Sequence, residues 1–97
     1  MGVKVIVELK LQPGRRGEFV SQYGSLAEQH GSVMREAGWL GSEMFGVPGD
    51  PDKVIEIAEW ESAEARDAVM QSDIMSVFAP LFEMMAAPFE ATLIEPL

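Results

Sequence analysis

Apolar side chains occupy every second position near the start of the chain, at Val3, Val5, Val7, Leu9 and Leu11. Lys4, Glu8 and Lys10 alternate with them, which predicts a strand with one buried face. Ile6 is the apolar exception on the other side. Pro13-Gly14 ends the strand, and Arg15, Arg16 and Glu18 open a segment with a different period. Phe19, Tyr23, Leu26, His30, Val33, Met34 and Ala37 recur at three- and four-residue steps, the apolar stripe of an amphipathic helix. Gly38 stands where a left-handed residue caps such a helix. Gly17, Gly24, Gly31 and Gly38 recur every seven residues. Their bare flank implies either close approach of another element or room for a ligand.

Two further strand-like runs, Trp39–Val47 and Lys53–Trp60, flank the turn-forming stretch Pro48-Gly49-Asp50-Pro51-Asp52 and predict a hairpin. In the second run Val54, Glu56, Ala58 and Trp60 share one face, and Ile55, Ile57 and Glu59 share the other, so neither face is cleanly polar. Both should be covered. Ser62 precedes Ala63-Glu64-Ala65 as a helix N-cap, and Ser72-Asp73 offers a second helix start. Ile74, Val77, Phe78, Leu81 and Met85 make the second short helix amphipathic, with Pro80 kinking or restarting it. A last strand runs from Phe89 to Glu95. The order strand, helix, strand, strand, helix, strand is the doubled unit of a ferredoxin-like fold. The expected class is therefore α+β, an antiparallel sheet with helices on one face, in a single domain spanning residues 1–97. The other face would be exposed in a monomer, and a second copy of the chain is its expected cover.

Composition narrows the partners. Seven Lys and Arg against sixteen Asp and Glu give a net charge of −9, the wrong sign for a phosphate backbone or an anionic lipid surface, so neither nucleic acid nor membrane is expected. With no Cys, the domain lacks disulfide or thiolate–metal staples, and association is a natural support for a core of this size. The first residues pass directly into Val3-Lys4-Val5-Ile6-Val7 with no basic leader, and Ile6 stands where a myristoylation signal needs Ser or Thr, which predicts a cytoplasmic protein. There is no Gly-rich phosphate loop, no paired His or Cys, and no Ser-His-Asp order, so nucleotide, metal and acyl-enzyme chemistry find no support.

Two stretches resemble the antibiotic-biosynthesis-monooxygenase family. One is the helix end entering a strand, Glu36-Ala37-Gly38-Trp39-Leu40-Gly41-Ser42-Glu43-Met44-Phe45. The other runs from Asp50 to Ser62 and contains Trp60-Glu61-Ser62, with Ala65 following. The resemblance implies a homodimer whose two sheets pack into a joint α+β barrel, with a pocket between helices and sheet in each subunit. It also implies oxidation of a small aromatic, phenolic or quinol-like substrate with no bound cofactor. Such chemistry needs a base, a dry cavity and orientation, because an electron-rich phenolate can pass an electron to O2 directly. The sequence departs from the family in having no Asn, which the quinol-oxidising members and the haem-degrading branch place in the pocket. It also lacks the Trp and His that the haem-degrading branch carries after the Trp-Glu-Ser stretch, so haem degradation is not expected.

For the base, His30 has a naturally suitable pKa and lies on the apolar stripe between Leu26 and Met34; it could equally be a core or interface histidine. Tyr23, seven positions earlier on that face, could donate a hydrogen bond to a substrate oxygen or serve the core. Trp60 could wall the pocket and orient a ring, or anchor the hairpin. Glu8, Glu43, Glu56 and Glu59 lie on strands, and one held in a poorly solvated site could replace His30 as the base. Phe19, Phe45, Phe78, Phe82 and Phe89, with seven Met, describe either an apolar pocket or a pliable core. Two functions follow: a cofactor-independent oxygenase with His30, Tyr23 and Trp60 at its site, or a non-catalytic dimeric module that binds a small apolar molecule in the same pocket.

Overall fold

The computed structural model describes residues 2–97. Its first strand, β1 (Val3–Lys10), is followed by the long helix α1 (Arg16–Glu36) and the hairpin β2 (Trp39–Val47) and β3 (Asp50–Trp60). A second crossover is broken into α2 (Ala63–Met70), a 3₁₀-helix (Asp73–Phe78) and α3 (Ala79–Phe82), before β4 (Glu90–Ile94) closes the sheet. The strands lie in the order β2-β3-β1-β4 with every neighbouring pair antiparallel, the ferredoxin-like α+β arrangement.

The alternation along β1 and β3 decides which residues meet the helices. Val5 lies opposite Ala58, Val7 opposite Glu56 and Leu9 opposite Val54, so these side chains share one face of the sheet. All of them except Glu56 are buried, and α1, α2 and the 3₁₀-helix close over them with Phe19, Met34, Val69 and Phe78. The opposite face carries Lys4, Ile6 and Glu8 beside Glu59, Ile57 and Ile55 in the same register. No helix covers it.

Helix boundaries follow the expected caps. Ser62 Oγ accepts from the Ala65 amide at 3.0 Å and Ser72 Oγ from the Ile74 amide at 3.3 Å. Pro80 lies in the first turn of α3, where its missing N–H costs nothing; the chain thus restarts a helix there. The hairpin turn is shorter than the turn-forming residues suggested: Val47 pairs with Asp50, leaving Pro48-Gly49 between them, and β3 begins three residues before Lys53. Asp50, Pro51 and Asp52 extend the strand at its free end, a place that tolerates proline. Leu11 contributes an isolated bridge to Met85 rather than a last residue of β1.

Of the glycines spaced by seven, Gly31 and Gly38 make close approaches. The Trp39 ring lies beneath Gly31, and a Cβ at Gly38, whose φ is +113°, would come 2.8 Å from the Ala65 Cβ. Gly17 and Gly24 face open space. Gly38 also accepts the Glu61 amide through its carbonyl at 2.8 Å, fastening the end of α1 to the junction of β3 and α2. No helix among the described residues is long and apolar enough to cross a membrane.

Candidate active site

Between α1, the second crossover and the sheet lies a cavity of about 110 Å³. Its sheet side is built from Val7, Leu9, Met44, Glu56, Ala58 and Trp60, all brought to one face by strand alternation and register. From α1 come Phe19, Tyr23 and Met34. Met70, Met75, Phe78 and Leu81 close it from the second crossover, and Arg66 enters from α2. At one side Phe82, Met85 and Phe89 line both this cavity and a shallower groove beside the Ala86-Ala87-Pro88 segment. The Phe82 and Phe89 rings stack there, 6.1 Å between centroids. Five methionines in the wall make it apolar and adaptable in shape.

Besides Arg66, the polar side chains of that wall are one hydrogen-bonded pair. The Tyr23 hydroxyl donates to Glu56 Oε2 at 2.6 Å, joining α1 to β3 across the cavity. Burial pushes the Tyr23 hydroxyl well above the usual phenol range, because an anion there would lose its hydration. The Glu56 charge and the hydrogen bond to it raise the value further, and a hydrogen bond with Ser42 opposes them more weakly. Tyr23 therefore stays protonated and acts as a donor. It occupies one carboxylate oxygen of Glu56 and leaves the other available. Ser42 is itself positioned by the Trp39 indole N–H, at 2.9 Å, and the Arg35 guanidinium lies 5.4 Å above the Trp39 ring.

Of the residues singled out in the sequence, the structure brings Tyr23 and Trp60 together in the cavity wall and leaves His30 outside it. His30 is half-buried. The buried line of α1 runs through Phe19, Gly31 and Met34, with Tyr23 and Ala27 packed along it, so His30 falls one residue off its centre. Its place is also about 10 Å farther along the axis than Tyr23. At that level Trp39 fills the space between helix and sheet. Of the four strand glutamates, Glu56 alone faces the cavity; Glu8 and Glu59 belong to the helix-free face, where Lys53 pairs with Glu8 at 3.2 Å.

Sequence reasoning overlooked Arg66 and Trp39. The signal for Arg66 was present: it falls on the same stripe of α2 as Val69 and Met70, three and four positions on. Among the described residues no grouping of His, Asp or Glu is arranged to hold a metal ion.

A sequence profile of the antibiotic biosynthesis monooxygenase family matches residues 2–81. No curated protein matches the sequence as a relative. Among solved structures, a candidate antibiotic biosynthesis monooxygenase from Bordetella bronchiseptica superposes with a TM-score of 0.82 at 18% identity, covering 99% of this chain and 97% of that one. SnoaB, a cofactor-independent oxygenase from Streptomyces nogalater, gives 0.76 at 14% identity, over 99% and 93% of the two chains. A conserved protein from Methanosarcina mazei Go1 gives 0.75 at 20% identity, over 97% and 91%. At these identities the likeness to solved structures establishes the fold.

Proposed function

We propose that this chain, which belongs to the antibiotic biosynthesis monooxygenase family, is a cofactor-independent oxygenase that converts a small phenolic or quinol-like molecule to a quinone in the cavity under α1. The observation that carries this reading is the hydrogen-bonded Tyr23–Glu56 pair set into a largely apolar wall. The overall reaction is phenol plus O2 to quinone plus water, with the substrate as the only reductant. Glu56 takes the hydroxyl proton, and the phenolate gives one electron to O2. The resulting radical and superoxide join at a ring carbon as a peroxide. Glu56 returns its proton to the outer peroxide oxygen, and cleavage of the O–O bond with loss of the hydrogen on that ring carbon releases water and leaves the inner oxygen as the second carbonyl.

The residues divide this work by their surroundings. Tyr23, held protonated, fixes Glu56 and cannot take the proton itself. Trp60 and Trp39 offer flat walls that orient a ring, and the methionine and phenylalanine lining excludes water that would quench the radical pair. Glu56 replaces His30 as the assigned base because it faces the cavity and His30 does not.

Oxygen uptake by the purified, metal-free protein, offered a panel of phenols and hydroquinones above their spontaneous rates, tests this reading. Glu56→Gln should lower the rate about 100-fold or more, the usual contribution of a general base, while thermal melting shows the fold retained. Loss of activity in His30→Ala with an active Glu56→Gln would return the base to His30. Binding without uptake would make the protein a carrier of such molecules.

The helix-free face belongs to the same reading. Ile6, Ile55 and Ile57 sit at its centre with Phe45, 45% exposed, and Ile94, 42% exposed, beside them. A second copy of the chain, sheet against sheet, is the proposed cover.

A further inference from the structure

Among the described residues Arg66 is the one cationic side chain in the cavity lining. It is half-buried, on the side of α2 that also presents buried Val69 and the cavity residue Met70. The ion pairs of the described residues are Lys10–Asp50, Arg15–Glu18 and Lys53–Glu8, and none involves Arg66. Glu56 lines the same cavity without coming within ion-pair distance of it. Lys4, Arg16 and Arg35 also lack a carboxylate partner among the described residues, but of these unpaired cations Arg66 alone lines the cavity. Arg15, by contrast, is paired with Glu18, and Arg35 lies over Trp39.

We propose that Arg66 is a binding residue for the carboxylate of a single-ring phenolic acid, and that the substrate is therefore an anion. This rests on the oxygenase reading of the same cavity. The planar guanidinium fork matches a carboxylate through two parallel hydrogen bonds, and an apolar surround strengthens such a contact. A protein of net charge −9 repels anions overall, so affinity for one has to come from a local cation of this kind. Size limits the rest of the molecule. Cavities of about 150 Å³ hold benzene. A space of about 110 Å³ is smaller than that, so it encloses at most one ring, and the rest of a larger molecule would project through the mouth at Phe82, Met85 and Phe89. Ring, hydroxyl and carboxylate then find the indoles, the Tyr23–Glu56 pair and Arg66 respectively.

Both tryptophans of the chain line the cavity, so quenching of their fluorescence reports its occupancy without any turnover. The probes are meta-hydroxybenzoate, its methyl ester and its carboxamide, equal in ring and hydroxyl and different in charge. The wild-type protein should bind the acid on the order of tenfold more tightly than either neutral probe, the scale of a hydrogen bond to a charged group. Arg66→Gln should abolish that preference while leaving ester binding unchanged, and Arg66→Lys should keep part of it. Equal binding of the three probes, failure of the acid to bind, or a preference that survives in Arg66→Gln would overturn the proposal. Acid preference with no oxygen uptake from any phenol would uphold Arg66 as the anion site and refute the oxygenase reading alone.

Discussion

Val54, Ala58 and Trp60 lie on the same strand as Ile55, Ile57 and Glu59 and meet the opposite side of the sheet. The first set is buried beneath helices; the second has none above it. Hydrophobicity alone does not separate them, since β-branched apolar residues stand on both sides, Val54 beneath the helices and Ile55 and Ile57 on the open face. What separates them is the connection between strands, because both crossovers return on the same side. The polar groups differ accordingly. On the helix side the hydrogen bond from Tyr23 to Glu56 is set into a largely apolar wall. On the open side Lys53 and Glu8 form a solvated pair beside the isoleucines. A hydrogen bond in the first place sets a protonation state; an ion pair in the second mostly keeps the surface soluble.

The comparison breaks most readily on the covered side. Leu9→Ala, which empties a buried position, should lower unfolding free energy by about 2–5 kcal/mol whatever the protein concentration. On the open side Ile57→Glu places a charge at the centre of the proposed interface. It should convert a sedimenting species of twice the chain mass into a monomer at micromolar concentration, and a wild-type monomer would refute the dimer.

A third effect is confined to high pH. Tyr23 is the only tyrosine in the sequence, so its ionisation can be followed by absorbance without interference from another. Burial and then Glu56 hold its folded-state pKa above the ordinary value of 10.0. Above that value the unfolded chain gives up a proton that the folded chain keeps, so stability is intact below pH of about 10 and falls as pH rises further. Glu56→Gln should bring the tyrosinate transition down toward 10 without reaching it, since burial remains. The smallest effect is expected on the open face, where Glu8→Gln should cost no more than about 1 kcal/mol and less at high salt.

Much of this was legible in the sequence where a pattern is local. The two-residue period of Val3 to Leu9 and the serines at 62 and 72 describe their elements without reference to anything distant. Gly38 could be read as a cap, but its contact with Ala65 depends on a packing that no local pattern encodes. The site was legible only in part. Tyr23 and Glu56 each stood out, yet they are 33 residues apart, and their meeting depends on how α1 lies across β3. His30 shows the reverse failure. Helical arithmetic places it on the apolar stripe, but three- and four-residue steps are equally satisfied by a line displaced by one residue, and Trp39 decides which line is buried. Arg66 reads as an ordinary helix charge until the cavity beside it is seen.

The strand order has a consequence for how the chain acquires its structure. β2 and β3 are joined by two residues and can pair as soon as both exist. β1 is central, and its neighbours come much later: Lys4 pairs with Glu59 on one side and with Ile94 on the other. Closing those long loops costs entropy before any contact repays it, so the first strand made is among the last to be satisfied on both edges. Until then its Val-Ile-Val run presents open edges that other chains could join, and Lys4, Glu8 and Lys10 are the charges within the strand that discourage it.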